Sequence, residues 1–438
     1  MVGAMRLRAT EVADATGGTL SGPEVTVDGA RIDSRLVQGG ELFVALRAER
    51  DGHEYVDAAL DAGAGACLVE RPAGRGTSIV VEDTFVALTQ LATRMRDRLP
   101  DRVVGITGSV GKTSTKDLLA AALGRQYRVS ASAKSFNNEL GVPLTVLDTP
   151  DDAEAVVVEM GARGRGHVAS LCAVARPLVG VVTTVGLSHS EFFGTIEDVA
   201  VAKAELVEAL PAHGTAVLNA DAPLVAAMAT RTGARVLTFG RAAGDVRATD
   251  IRLDDDLRPT FRLQTPWGDA GVELQVRGYH QVFNALAAAA AALACDAGLE
   301  AVAAGLGDAQ LSPWRMELHR APSGALILND TYNANPLSME AALRALAELP
   351  ALRRTAVLGI MAELGDVGPS EHARMGALAA ALGVRIIAVD APDYGSETVA
   401  DAGEARERLG PLGDGDAVLV KGSRAAGLES LAGTLAAS

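Results

Sequence analysis

Lysine is scarce in this chain: of 40 basic residues, only Lys112, Lys116, Lys134, Lys203 and Lys421 are not arginine. Where arginine serves almost everywhere else, a retained lysine points to chemistry that a guanidinium cannot perform. A compact ammonium fits between phosphate oxygens, and a deprotonated amine can be covalently modified, whereas arginine stays charged and forked. Arginine-rich codon usage with chance survivors is the plain alternative, and the neighbouring residues decide between the two.

Lys112 closes the run Gly105-Ile106-Thr107-Gly108-Ser109-Val110-Gly111-Lys112-Thr113-Ser114, set between an expected strand and an expected helix. These are the parts of a phosphate-binding loop. Glycines let backbone N–H groups curl round phosphates, and the helix N-terminus adds partial positive charge. Lys112 is placed to reach the β- and γ-phosphates, and the Thr113 hydroxyl to ligate Mg²⁺. Strict spacing asks for glycine where Ile106 stands, so the loop is a shorter variant. A glycine-rich turn without a ligand has the same local appearance.

Two metal-ligand types sit at the ends of later expected strands: Glu159 after Ala155 to Val158, and His189 after Leu178 to Val185. In an open parallel sheet ligands gather at the carboxyl ends of strands, which aims both side chains at the loop. Taken singly, each could equally be a solvated loop residue. Lys203 is informative through its helical phase. Ile196, Val199, Leu206, Val207 and Leu210 fall within about 60° of it, while Glu197, Glu205 and Glu208 point away. An ammonium on an apolar stripe is costly unless it is paired or its pKa falls. A neutral amine there can add carbon dioxide and become a carbamate, an anionic oxygen ligand for Mg²⁺. Snorkelling to the stripe's edge is the alternative.

Such residues need a scaffold. The chain has 438 residues, 48% of them hydrophobic, enough for roughly two to four domains with substantial cores. A net charge of -15 argues against a general nucleic-acid or anionic-membrane surface, so any phosphate binding must be local. Cys67, Cys172 and Cys295 are isolated, which suits a reducing compartment. The most apolar run, Ala285 to Cys295, is too short to span a bilayer. The N-terminus, with Arg6 and Arg8 but no apolar core after them, does not read as a signal peptide. These features together give the expectation of a cytoplasmic protein without membrane insertion.

The expected fold class is α/β in three domains. Residues 1–100 mix short β-like runs (Leu42 to Leu46, Ala66 to Val69, Ser78 to Val81) with glycine-rich turns. Residues 101–311 alternate apolar strands and helices in the rhythm of a doubly wound parallel sheet, with strands at Val103 to Thr107, Ala155 to Glu159, Leu178 to Val185, Thr215 to Leu218 and Val236 to Phe239. An antiparallel excursion is expected over Asp245 to Val276, where apolar and polar residues alternate. Residues 312–438 restart the pattern at Leu326 to Leu328, Thr355 to Leu358, Arg385 to Val389 and Ala417 to Val420, as a Rossmann-like domain.

On its motifs the chain resembles the Mur ligases. The loop Thr107 to Ser114, the segment Ser135-Phe136-Asn137-Asn138-Glu139-Leu140-Gly141-Val142-Pro143-Leu144, Glu159-Met160-Gly161, the His189 loop and Ala202-Lys203-Ala204-Glu205 look like that family's central domain. The run His280-Gln281-Val282-Phe283-Asn284-Ala285-Leu286-Ala287-Ala288 is similar to its adenine-side helix. Asp330-Thr331-Tyr332-Asn333-Ala334-Asn335-Pro336, preceded by Arg315, and Ala362-Glu363-Leu364-Gly365 followed by His372 resemble the branch that adds D-alanyl-D-alanine. Asp33-Ser34-Arg35, Leu42 to Leu46 and Lys421-Gly422-Ser423-Arg424 extend the likeness over essentially the whole chain.

The resemblance implies an ADP-forming ligase of peptidoglycan precursor synthesis that joins D-alanyl-D-alanine to UDP-N-acetylmuramoyl-tripeptide through an acyl phosphate. It implies a UDP-holding N-terminal domain, an ATP-holding central domain, a C-terminal domain that brings the amine, and a monomer. Carried over by motif position, Gly108, Ser109, Gly111, Lys112, Thr113, Ser114, Asn138 and Asn333 fall among the ATP-binding residues. Asn284 and Asp330 fall on the nucleoside side, and Arg315 reaches the γ-phosphate. Thr113 with Glu159 would hold one Mg²⁺, and His189 with carbamylated Lys203 the second. Lys112, His189, Lys203 and Arg315 would carry catalysis.

Two departures from the family pattern touch the acceptor and uridine sides. Ile360 replaces an acid in Gly359-Ile360-Met361-Ala362-Glu363-Leu364-Gly365, and Ala45 to His53 is one residue short, without glycine at Ala48. A paralogue joining another carboxylate and amine, and a nucleotide-binding protein without turnover, are therefore the alternatives. Lys203 and His189 argue against the second, since a mere binder does not need a second metal.

Overall fold

The computed structural model describes residues 4–133, 135–186 and 190–437. Its centre is a nine-stranded sheet in the order Gly268–Glu273, Pro259–Thr265, Val246–Leu253, Arg235–Gly240, Thr215–Asn219, Val179–Val182, Val103–Thr107, Ala155–Glu159, Val129–Ala131. Valine-rich runs of four or five residues, buried along their whole length, form its middle, as strands covered by helices on both faces do. All pairs from Val246–Leu253 to Val129–Ala131 are parallel, and the two strands beyond Val246–Leu253 pair antiparallel, as expected. The strand expected to run to Val185 stops at Val182, because Thr183 and Thr184 turn their hydrogen bonds toward the neighbouring glycine-rich loop.

Helix His280–Ala294 carries eight successive buried residues from Ala285 to Ala292, seven of them alanine. It packs against helix Lys112–Gly124 in one apolar cluster with Val104, Ile106, Val181 and Leu237 on that face of the sheet. The other face is covered by helices His167–Ala175 and Ile196–Glu208, and its core continues without a break into the N-terminal region through Leu88, Leu91 and Met95 of helix Thr84–Met95. A bidentate contact from Arg31 Nη1 to Asp148 at 2.8 Å adds a polar tie across that junction.

The N-terminal region holds a five-stranded sheet in the order Thr19–Ser21, Ser78–Val80, Ala66–Val69, Leu42–Val44, Ala30–Arg31, and a separate pair of Arg6–Arg8 with Thr26–Asp28. Leu42–Val44 ends two residues earlier than expected, where the chain turns into a closed loop: Gly52 N donates to Leu46 O, and His53 Nδ1 meets Asp51 while its Nε2 accepts from Glu70 N. The C-terminal region is a six-stranded sheet in the order Glu317–Arg320, Leu326–Asn329, Asp416–Lys421, Arg353–Leu358, Arg385–Val389, Glu397–Val399. Only its first pair is antiparallel, and helices cover both faces over two apolar clusters. The α/β, multi-sheet expectation is borne out. Strands Arg6–Arg8, Thr26–Asp28, Glu317–Arg320 and Glu397–Val399 were not expected, being too short for a periodic signal.

Candidate active site

Ile106 is fully buried inside strand Val103–Thr107, so the position where strict spacing asks for glycine belongs to the sheet. The turn begins at Gly108, with φ of 151°, and ends at Gly111, with φ of 85°. A Cβ on Gly108 would collide with the Thr183 hydroxyl, and one on Gly111 with the Asn284 amide, so both positions exclude side chains. Helix Lys112–Gly124 starts at once, and its first N–H groups lack intrahelical acceptors. The loop is clamped from the next strand: Thr183 Oγ1 donates to Val110 O at 2.6 Å, Thr184 Oγ1 accepts from Val110 N at 3.1 Å, and Ser109 Oγ donates to Gly186 O at 2.9 Å.

Lys112 Nζ folds back on Gly108 O at 2.7 Å. Burial pulls its pKa down, with Glu159 acting in the opposite sense. Thr113 Oγ1 donates to Glu159 Oε2 at 2.7 Å, and Glu159 Oε1 accepts from Asn137 Nδ2 at 2.8 Å. Arg315 crosses from the C-terminal region and donates from Nη2 to Thr113 Oγ1 at 2.9 Å. Its backbone is flanked by two left-handed non-glycine residues, Trp314 (φ 65°) and Met316 (φ 52°), a strained arrangement that aims the side chain across the junction.

Lys203 sits on the buried stripe of helix Ile196–Glu208 with Val199, Leu206 and Val207, and is 2% exposed. Burial, and then the charge of Lys112, push its pKa down to about 7. Glu197 and Glu208 face solvent, while Glu205 accepts from Gly166 N and Ala169 N at the start of helix His167–Ala175. His189 lies outside the described residues, as does Lys134.

On the far side of the loop, Asn284 Nδ2 donates to Gln281 Oε1 at 2.8 Å. His280 contacts Gln281 at 3.1 Å, and burial drives its pKa down to about 4. Asp330 Oδ2 accepts from Lys421 Nζ at 2.5 Å and its Oδ1 from Met316 N at 3.1 Å; Lys421 also donates to Asn333 O at 2.8 Å. Asn138 Oδ1 accepts from Gly141 N at 2.9 Å, and Asn333 Oδ1 from Ala334 N at 2.8 Å.

One cavity of about 1080 Å³ brings these groups together. Its lining includes Ser109, Gly111, Lys112, Thr113, Ser114, Asn138, Glu159, Lys203, Asn284, Arg315, Asp330 and Asn333. Gly108 stands just behind it, with its carbonyl holding Lys112. Three lysines and three arginines line the walls together with five acidic residues, so the cleft is slightly basic within a chain whose net charge is -15. Ile360 is 42% exposed and outside the lining, whereas Ala362 and Glu363 lie within it.

The sequence matches the Mur ligase middle domain over residues 106–292 and the Mur ligase glutamate ligase domain over residues 314–424. It is 42% identical to the UDP-N-acetylmuramoyl-tripeptide--D-alanyl-D-alanine ligase of Mycobacterium tuberculosis (strain ATCC 25618 / H37Rv), over 92% of this chain and 91% of that one. The chain belongs to the Mur ligase family. Among solved structures, MurF from Acinetobacter baumannii superposes with a TM-score of 0.89 at 30% identity over 99% of each chain. MurF ligase from Thermotoga maritima, solved in complex with ADP, superposes with a TM-score of 0.82 at 28% identity over 93% of this chain and 97% of that one.

Several residues of this Mur ligase's cleft escaped the sequence reading. Thr183 and Thr184 fall within the strand expected at Leu178 to Val185, although two adjacent hydroxyls at a strand end beside a glycine-rich loop are a signal of loop support. Asn219 closes the next strand and donates from Nδ2 to Thr183 O at 2.9 Å, one layer further out. Lys421 was singled out by its rarity, and its ion pair with Asp330 could not be foreseen because 91 residues separate them. Tyr332 was noted only within a motif; its ring lies under the Arg315 guanidinium, 4.1 Å from Cζ to the centroid.

Proposed function

We propose that this chain is the ligase that joins D-alanyl-D-alanine to the terminal carboxylate of UDP-N-acetylmuramoyl-tripeptide, with ATP converted to ADP and phosphate. The observation that carries the reading is the meeting of the glycine-rich loop, Glu159, Lys203 and Arg315 in one cleft between the central and C-terminal regions. The named relatives, matched over nearly the full chain, supply the substrates, and the ADP complex of the Thermotoga relative supports the nucleotide.

The peptide carboxylate displaces ADP from the γ-phosphorus of ATP, giving an acyl phosphate. The dipeptide amine then attacks the acyl carbon, and phosphate leaves as the amide bond forms. Two anions must approach each other in the first step, so fixed positive charge lowers the barrier. Lys112 and the helix N–H groups hold the triphosphate, and Arg315 brings a guanidinium from the opposite wall. Asn284 and Asp330 face the nucleoside, with Asn138 and Asn333 among the other ATP-binding residues.

Thr113 and Glu159 form a pair of hard oxygen donors 2.7 Å apart, the chemistry Mg²⁺ takes, and would hold one ion. The amine of Lys203, whose pKa burial lowers to about 7, is suited to carbamylation; its carbamate and His189 would hold the second. Bound there, the cations neutralise charge between the phosphoryl oxygens and the incoming carboxylate. Residues 1–100 would hold the uridine end, 101–311 ATP, and 312–438 the amine, in a cytoplasmic monomer. Among the described residues no helix is long and apolar enough to cross a membrane.

The test is phosphate release from ATP and Mg²⁺ with the tripeptide substrate and the dipeptide, with mass spectrometry of the product. A UDP-linked pentapeptide formed only when every component is present is the expected result. Turnover with another amine and none with D-alanyl-D-alanine would overturn the substrate assignment.

A further inference from the structure

Six residues form a closed circuit of contacts across the junction of the central and C-terminal regions. Ser135 Oγ meets the Tyr332 hydroxyl. The Tyr332 ring stacks under Arg315, whose Cζ is 4.1 Å from the ring centroid. Arg315 Nη2 donates to Thr113 Oγ1 at 2.9 Å, Thr113 donates to Glu159 at 2.7 Å, and Glu159 accepts from Asn137 at 2.8 Å. Asn137 lies two residues from Ser135, in the same connection, so the path returns to its start.

Tyr332, like Ser135 and Asn137, has no role in the reaction as read above. Its position answers a need of Arg315. That side chain enters the cleft from a short segment with left-handed residues on both sides, and its Nε, although buried, has no hydrogen-bond acceptor among the described residues. Hydrogen bonding therefore fixes only the Nη edge. A planar ring against a planar guanidinium removes the remaining freedom of tilt while leaving that edge free to bond. At the same time the tyrosine hydroxyl joins the segment bearing it to the connection that orients Glu159.

We propose that Tyr332 is a positioning residue for phosphoryl transfer, setting the plane of Arg315 through its ring and tying the C-terminal region to the Ser135–Asn137 connection through its hydroxyl. The proposal rests on the reading of Arg315 as a phosphate-facing group, and the experiment separates the two. Steady-state kinetics and ATP affinity by calorimetry would be measured for Arg315→Ala, Tyr332→Phe, Tyr332→Leu and the double variant Arg315→Ala/Tyr332→Leu.

Tyr332→Leu is expected to lower kcat about tenfold, the scale of a desolvated cation–ring contact. The KM for the dipeptide should stay within about twofold, since the ring packs on Arg315. Tyr332→Phe keeps the ring and should restore kcat to within about threefold of the parent, losing only the hydroxyl contact. In the Arg315→Ala background, Tyr332→Leu should cost no more than about threefold, the hydroxyl contact alone, because the group the ring orients is gone. Full additivity of the two substitutions, or parental kcat in Tyr332→Leu, would overturn the proposal while leaving Arg315 in place. An Arg315→Ala variant with parental kcat and ATP affinity would overturn the underlying reading. If Tyr332→Leu lowers the melting temperature, Tyr332→Met replaces it in the same comparison with Arg315→Ala, and full additivity there refutes a role for the ring.

Discussion

The Thr113 hydroxyl donates to the Glu159 carboxylate at 2.7 Å, joining the first turn of the loop helix to the end of the neighbouring strand. Glu159→Gln preserves the shape of this contact but removes the charge. We expect turnover to fall at least about a hundredfold, with the Mg²⁺ concentration for half-maximal rate displaced upward and the melting temperature little changed. Parental activity at low Mg²⁺ would remove Glu159 from the metal site.

Lys203→Arg keeps a cation on the buried stripe and cannot form a carbamate. Turnover should fall about a hundredfold or more. Carbon-13 NMR after addition of labelled bicarbonate should show a carbamate resonance in the parent that is missing from the variant. Near-normal turnover in Lys203→Arg would eliminate the second-metal arrangement.

Acid sensitivity should trace in part to His280. Its pKa in the fold, driven by burial to about 4, lies below the ordinary value of 6.5. Between those values the unfolded chain binds a proton that the folded chain does not, so stability is lost as pH falls from about 6.5 toward 4. The loss is at most about 3 kcal/mol. His280→Gln should show a shallower decline over the same window in urea titrations at successive pH values. Parallel curves for the two proteins would refute the assignment.

The junction of the N-terminal and central regions offers a stability test. Asp148 accepts from Arg31 Nη1 and from Ala30 N, and burial raises its pKa in spite of the arginine. Asp148→Ala should cost about 1–3 kcal/mol by leaving Ala30 N without its acceptor and Arg31 Nη1 with only Ala30 O, and Asp148→Asn less, since the amide still accepts. Equal losses in urea unfolding would mean that the charge itself holds the junction.

What the sequence revealed follows physical lines. Strands such as Val103–Thr107 and Ala155–Glu159 are legible because full burial makes them short, valine-rich runs. Lys203 was legible because one charged residue interrupts an otherwise apolar helical face. Short edge strands such as Glu317–Arg320 carry no such pattern. The ties that assemble the cleft were hidden for another reason: Arg315 to Thr113 and Lys421 to Asp330 join residues 202 and 91 positions apart. No local pattern encodes a contact of that range. Thr183 and Thr184 were misassigned because threonine suits strands as well as loops, and only the loop beside them decides.

The alanines of helix His280–Ala294 set a distance. Methyl groups are the smallest side chains that still repel water, so this helix can pack close against Leu118, Leu119 and Leu123 of helix Lys112–Gly124, and Asn284 reaches the edge of Gly111. The helix therefore acts as a calliper for the slot beside the glycine-rich loop, in which the proposed reading places a nucleotide. Thickening its packed face, as in Ala288→Leu, would change the gauge of that slot before it unfolded the protein, and nucleotides of different length would register the change first.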